Sequence, residues 1–414
     1  PAKNITSLPS QTIVPTATVL GRFTVGVDNP EVIVALLTLI LCLMEPCGFP
    51  PRHAVNLPSI MVFMPSDFSW PSVLTQLLAG SDLSLSQARE AMALVMAGAT
   101  SDSQLAGFLV ALRAKPETVD EIVGFRDAIL DNAVGLSIDS KVLDIVGTGG
   151  DPYGAVVNVS SIASIVAAAA GVPVVKHGNR AASSSSGASD VLSQLGLNLD
   201  LGPSEVARVF HHVGITFVFA AQFHPGFKHA ATARKEIGIP TVFNILGPLC
   251  NPVRPEASAV GVSDASRLHQ MAGVFQTRGA TALVYRGDDG IDKLTTTGQS
   301  TVLEVTGGHI LEHTISSQGL GLPRARPEDI LGEGPEHNAE LARKVLAGEP
   351  GPVRDIVVLN AAAGLVSFAL AGDPAQQERN LSERLEEKIT VASATLDSGA
   401  AARKLAEWVE ATHA

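Results

Sequence analysis

Much of what marks the common functional classes is scarce in this chain. Three cysteines among 414 residues (Cys42, Cys47 and Cys250) are too few, and odd in number, for a disulfide framework, and they suit a reducing compartment. Cys42 and Cys47 with His53 have the chemistry of metal ligands, but no second pair follows to close a zinc site. Only 17% of residues are charged and the net charge is −12, which excludes a broad basic face for nucleic acid. Any phosphate must then be held locally, by loops and a few cations. The apolar run 32–44 is shorter than the roughly 20 residues that a membrane-spanning helix needs. It also lacks the features of a signal sequence, since no basic cluster precedes it and the proline-rich MEPCGFPPRH follows it. These absences read as a cytoplasmic protein without membrane or nucleic-acid partners.

What is present is a 46% share of hydrophobic residues, enough to bury a large core and build two domains. Residues 1–62 read as a poorly structured N-terminal extension that folding and binding do not need, with Met61 or Met64 a natural start for the globular part. From Trp70 onward LTQLL, SLSQAREAMALVMAG, SDSQLAGFLVALRA and TVDEIVGFRDAIL carry apolar residues at helical spacing. Ser84 or Ser86 and Ser101 are expected N-caps and Gly98 an expected stop, giving a small helical domain over residues 63–138. The pattern then changes. KVLDIVG stops at Gly147, a helix is expected from Ser160 to Gly171, VPVV forms the next strand, and another helix covers 190–195. Later strands are expected at 215–219, 282–285 and 301–305, and DIVVLNAAAGLVSFALAG and LDSGAAARKLAEWVEATHA are expected to pack as helices. GPEHNAELARKVLAGEPGPVRD reads as a solvated outer layer. Residues 139–414 thus form an α/β domain, a sheet with covering helices.

Three clusters lie within about forty residues of one another: GTGGD at Gly147–Asp151, NVSS at Asn158–Ser161 and KHGNR at Lys176–Arg180. Each falls where a strand gives way to a loop and a helix, where backbone N–H groups and a helix N-terminus can face phosphate oxygens. Gly147, Gly149 and Gly150 allow the backbone to approach an anion. Asp151 would repel phosphate, so its task is a ribose hydroxyl, a metal-bound water or a loop backbone. Asn158, Ser160 and Ser161 open the apolar helix as caps, with the Ser160 hydroxyl also a hard ligand for Mg²⁺. Lys176 and Arg180 supply positive charge, and His177 and Asn179 directional hydrogen bonds. The serine run 183–186 suits a diphosphate. HPGFKHAATARKEIG carries His224, Lys228, His229, Arg234 and Lys235, FNILGPLCNP reads as a rigid joint, and GDDGIDKL offers Asp288, Asp289 and Asp292 to Mg²⁺.

Together these segments closely resemble the anthranilate phosphoribosyltransferases, over some 345 residues from Trp70 to the C-terminus. The resemblance implies an α/β fold class in which a small helical domain, completed by a helix pair near 222–240, joins a larger domain with a central mixed sheet covered by helices. It implies a homodimer formed through the helical domains. It also implies that phosphoribosyl pyrophosphate is bound by Gly147, Gly150, Asp151, Asn158, Val159, Ser160, Ser161, Lys176, His177, Gly178, Asn179, Arg180, Ala181, Ala182, Ser183, Ser184 and Ala188. Anthranilate would meet Gly147, Asn179 and Arg234, with Arg234 on its carboxylate, and Ser160 and Asp292 would ligate Mg²⁺. No catalytic nucleophile is implied, because the aromatic amine attacks C1 of the ribose directly. The chain departs from the family in three places. PYGAVV after the glycine loop is one residue longer and has no threonine, Lys293 stands where relatives have Glu, and Ala188 stands where many have Ser. A pyrimidine nucleoside phosphorylase-like enzyme and a catalytically weak ligand-binding relative are the alternative readings.

Overall fold

The computed structural model describes residues 17–19, 23–25, 68–154, 156–180 and 186–414. It divides into two units, residues 1–66 and 67–414. In the first, β1 (Ala17–Val19) pairs antiparallel with β2 (Phe23–Val25). The rest of the expected extension, including the 32–44 run, Cys42, Cys47, His53, Met61 and Met64, lies outside the described residues.

The second unit opens with four helices: α1 (Trp70–Leu78), α2 (Leu85–Met96), α3 (Asp102–Ala114) and α4 (Val119–Asp131). Ser84 and Ser101 cap α2 and α3 as expected, each in a reciprocal box with the glutamine three residues on. Thr118 does the same for α4 with Glu121. Gly98 ends α2 in the left-handed conformation at φ 70°. Trp70, Phe108 and Phe125 meet edge to face at 5.3 and 5.8 Å in the core of this bundle. The later segment 225–237, a 3₁₀ turn (Pro225–Ala230) followed by α9 (Ala231–Ile237), packs back on α2 and α3. The approach is close: a Cβ on Gly226 would lie 2.8 Å from the Met96 carbonyl oxygen.

The sheet has seven strands in the order β5-β4-β3-β6-β7-β8-β9. β3 (Leu143–Gly147), β4 (Val174–Gly178), β5 (Ile215–Phe219), β6 (Ala257–Gly261) and β7 (Thr281–Gly287) run parallel. β8 (Gln299–Thr306) and β9 (His309–Ser316) add an antiparallel edge. The sheet is therefore mixed and covered by helices, as the family resemblance implied. Helix α5 (Val159–Ala169) follows β3, and α6 (Ala188–Gln194) and α7 (Pro203–Val213) connect β4 to β5. A short helix α8 (Ala220–Phe223) follows β5, and α10 (Phe243–Leu246) and α11 (Leu268–Arg278) flank β6. Helices α12 (Pro335–Leu346), α13 (Pro352–Gly372), α14 (Leu381–Asp397) and α15 (Ala400–His413) complete the chain.

Two expectations need correction. Helix α12 is not a solvated layer, because Asn338, Ala339, Ala342, Val345 and Leu346 bury one of its faces. Gly399, at φ 70°, separates two terminal helices where LDSGAAARKLAEWVEATHA reads as one. Helix α13 is apolar and long enough to cross a membrane by composition, but 72% of its most apolar window is buried within the fold. It lies on β3, where a Cβ on Gly364 would come within 2.6 Å of Ile145 Cδ1.

Candidate active site

The parallel strands deliver their loops to one end of the sheet, the usual place for a ligand in an open α/β fold. After β3 the chain turns through Gly149 and Gly150, at φ 68° and 76°, where glycine is needed. Gly147 is needed for a different reason. A Cβ there would collide with the Asp292 carboxylate, and one on Gly261 with the Asp292 carbonyl. The carboxylate of Asp292 in turn accepts the Gly149 N–H at 2.7 Å. Ser263 closes the loop from the other side, donating its hydroxyl to the Gly149 carbonyl at 2.6 Å. Asp151 follows with a buried Oδ1 that has no partner among the described residues, and its Oδ2 lies 4.0 Å from Lys293 Nζ. Burial raises the Asp151 pKa, Lys293 opposes that rise and Asp292 adds to it.

Asn158 sits at the N-cap of α5 but makes no capping bond with its side chain. The side chain instead donates to the Ser186 carbonyl at 3.1 Å and accepts from Asn338 at 2.9 Å. The expected cap is thus a tether between three segments, and the N-terminus of an eleven-residue helix is left without a side-chain cap. Val159 and Ser161 are buried in the first turn, and the Ser161 hydroxyl has no partner among the described residues.

Lys176 is not a loop cation. It lies within β4, fully buried, and donates to the Ile145 carbonyl at 2.7 Å with Ser160 Oγ at 3.5 Å. Burial lowers its pKa, while the nearby Asp144 and Asp292 work against that shift. Asp144, beneath it, accepts from the His177 backbone N–H and from the Asn251 amide. Gly178 is tight because a Cβ would sit 2.9 Å from Phe217 and 3.2 Å from the Ala188 methyl. Asn179 accepts from the Arg180 N–H, and exposed Arg180 stacks over Phe219 at 5.9 Å. Ala181, Ala182, Ser183 and Ser184 lie outside the described residues.

From His177 a line of rings runs into the helical part of the unit. His177 meets His224 edge-on at 5.2 Å, His224 meets Phe227 at 5.2 Å, and Phe227 meets Phe243 at 5.9 Å. The Arg234 guanidinium caps the line, 5.1 Å over Phe243. Burial pushes the His177 pKa down to about 3, with His224 assisting and the Gly247 carbonyl opposing, and pushes His224 down to about 4. Both rings are neutral at physiological pH. Arg234 is half-buried, and no carboxylate pairs with it among the described residues. The site thus offers a loop and a helix end suited to phosphates and, beyond a row of mostly buried neutral rings, a guanidinium with no carboxylate partner among the described residues.

Comparison with known proteins identifies the family. Residues 139–402 match the α/β domain of a glycosyl transferase family, and residues 71–133 its helical bundle domain. The anthranilate phosphoribosyltransferase of Clavibacter michiganensis is 62% identical over 351 residues, covering 85% of this chain and all of the relative. That of Leifsonia xyli is 62% identical over 344 residues, 83% of this chain and 98% of the relative. The chain belongs to the anthranilate phosphoribosyltransferase family. Among solved structures, the Thermus thermophilus enzyme superposes with a TM-score of 0.75 at 39% identity, covering 83% of this chain and 99% of its own. The Saccharomyces cerevisiae enzyme, in complex with phosphoribosyl pyrophosphate and Mg, gives 0.74 at 27% identity, with 83% and 98% covered.

The acidic turn after β7 places its three carboxylates in different surroundings. Asp289 is consumed by the turn, accepting the hydroxyls of Thr295 at 2.7 Å and Thr297 at 2.5 Å, and Asp288 is exposed. Among the described residues no three His, Cys, Asp or Glu side chains converge on a metal position. The three expected carboxylates therefore form no ready-made cation cage. Of them only Asp292 faces the loop, and its carboxylate is paired with Lys293. Asn360, a lone amide in apolar α13, holds this segment by bonding both the N–H and the carbonyl of Leu294, at 3.0 and 2.9 Å. Asn360, Ser263, Asp144 and Asn338 are site-shaping residues that no sequence motif marks. Only the oddity of an Asn in a run of Ala, Leu and Val signals the first.

Proposed function

We propose that this chain transfers the phosphoribosyl group of 5-phosphoribosyl 1-pyrophosphate to anthranilate, giving N-(5-phosphoribosyl)anthranilate and pyrophosphate for tryptophan biosynthesis. The observation that carries the reading is Arg234, a half-buried guanidinium without a carboxylate partner, at the end of a row of neutral rings that starts in β4. A planar guanidinium matches a carboxylate bidentately, and the Phe243 ring beneath it holds it in place. The Gly149–Asp151 loop and the α5 N-terminus take the phosphates, with Asp151 Oδ1 free for a ribose hydroxyl.

In this reading the amine nitrogen of anthranilate bonds to C1 as the bond from C1 to the diphosphate oxygen breaks, and the displaced amine proton passes to solvent. No covalent enzyme intermediate forms. The chain contributes by holding both reactants in line and by placing dipoles where charge develops. A magnesium ion carried on the diphosphate would supply positive charge to the leaving group. Ser160 would be the chain's own hard donor to that ion, because the Asp292 carboxylate is already held by Lys293 and the Gly149 N–H. Neutral His177 and His224 keep positive charge away from the anthranilate amine. The chain is further proposed to be cytoplasmic and to form a homodimer through its helical part, where Leu78 is 77% and Val110 47% exposed.

The test follows loss of anthranilate fluorescence in the presence of phosphoribosyl pyrophosphate. Arg234→Ala should weaken anthranilate binding by about ten- to a hundredfold, the loss of a charged hydrogen bond worth roughly 1.5–3 kcal/mol. The KM for phosphoribosyl pyrophosphate should not move. Equal weakening of both substrates would sink the assignment, and phosphorolysis of a pyrimidine nucleoside would point to the phosphorylase reading.

A further inference from the structure

We infer that the Lys293 ammonium is this protein's resident cation for the Asp151 and Asp292 carboxylates, standing where a divalent ion would otherwise bind. Lys293 Nζ pairs with Asp292 Oδ1 and lies 4.0 Å from Asp151 Oδ2. The three side chains are 11%, 6% and 8% exposed, so little water reaches them. Two carboxylates withdrawn from water need a positive charge between them. Here the chain supplies one itself.

The backbone holds that charge in place. Asp292 is wedged against Gly147 and Gly261, neither of which could carry a side chain, and Asn360 grips Leu294 on the other side of Lys293. Lysine cannot ligate a metal ion as an ammonium, and a divalent ion at this pair would meet like charge. Each ammonium has three N–H donors, Asp292 takes one, and Asp151 is beyond hydrogen-bond length. The remaining donors are available to a diphosphate oxygen next to the loop, a consequence that rests on the proposed phosphoribosyl pyrophosphate site. The cation assignment itself does not depend on it.

The experiment is Mn²⁺ titration of the full-length protein without substrate, by calorimetry and by electron paramagnetic resonance. The parent should show no tight site. Lys293→Glu should gain one at least tenfold tighter, and the double change Lys293→Glu with Asp151→Asn should lose that gain. Equal Mn²⁺ affinity in the parent and Lys293→Glu overturns the inference, as does a gain that survives Asp151→Asn. Lys293→Met removes the ammonium without adding charge and serves if the glutamate variant does not fold. It should still tighten Mn²⁺, and an unchanged affinity overturns the inference. Because no substrate is used, failure of anthranilate turnover leaves the result readable.

Discussion

Glu304 and Asp292 are both buried carboxylates paired with a cation, and they differ in what their surroundings leave unfinished. Glu304 on β8 receives both terminal nitrogens of Arg384, at 2.6 and 2.9 Å, and His313 Nε2 at 3.0 Å. Its acceptors are used within the protein, and the cluster ties α14 to the sheet. Asp292 receives Gly149 N–H and Lys293, while Asp151 beside it keeps a buried oxygen without a partner. A pair closed on its carboxylate side holds structure, even with Arg384 Nε left unpartnered among the described residues, whereas an orphaned acceptor next to a glycine loop marks a place for a ligand. Burial alone does not separate the two.

The largest effect should come from breaking the closed pair. Glu304→Gln strands a buried guanidinium and should cost about 3–5 kcal/mol, read from chemical denaturation, with both KM values unchanged. Burial pushes the Glu304 carboxyl up, but the bonds from His313 and Arg384 outweigh that and hold it below its ordinary 4.5. A depressed carboxyl contributes stability above its unfolded value that is lost as pH falls through the folded one. The parent should therefore lose stability below about pH 4.5 by a component that Glu304→Gln lacks, and matching acid limbs would contradict the pairing.

Disturbing the open pair should act on the ligand more than on the fold. Gly147→Ala drives a methyl into the Asp292 carboxylate, an overpacking worth about 1–3 kcal/mol. Calorimetric affinity for phosphoribosyl pyrophosphate should drop at least tenfold while Arg234 keeps its hold on anthranilate. Unchanged diphosphate binding would mean that the loop gives way without consequence. The smallest effect belongs to Asp288→Asn, an exposed carboxylate outside both pairs. Stability should stay within about 0.5 kcal/mol of the parent and Mn²⁺ binding should be the same, and any shift in the metal titration would draw Asp288 into the open site.

The helical caps at Ser84 and Ser101 and the strand 215–219 were legible because each rests on a local rule, side-chain capping or a β-branched run. The glycine turn after β3 and the helix start at Asn158 were legible for the same reason. Misread features depend on distant partners. Gly147 looks like a conformational glycine, but what it lacks room for is Asp292, far along the chain. Asn158 has the identity of a cap, yet Ser186 and Asn338 claim its amide. Lys176 follows an apolar strand and so reads as the start of a loop, when β4 continues through it and buries it. Strands β6 and β9 were not anticipated. ASAVG in β6 is short and of small residues, and HILEHTIS in β9 is largely exposed, so neither carries a strong hydrophobic pattern.

Helix α13 packs on α5, β3, β6 and β7, which precede it in the chain, and on α14, which follows it. Polypeptides emerge from the ribosome N-terminus first, and domains begin to fold in that order. When residues 352–372 leave the exit tunnel, the strands that will cover them have already been made. The segment most like a membrane span thus meets its sheet and α5 on arrival and waits only for α14, whereas a circular permutant that moved it to the front would expose it, uncovered, to every factor that surveys nascent chains for apolar helices.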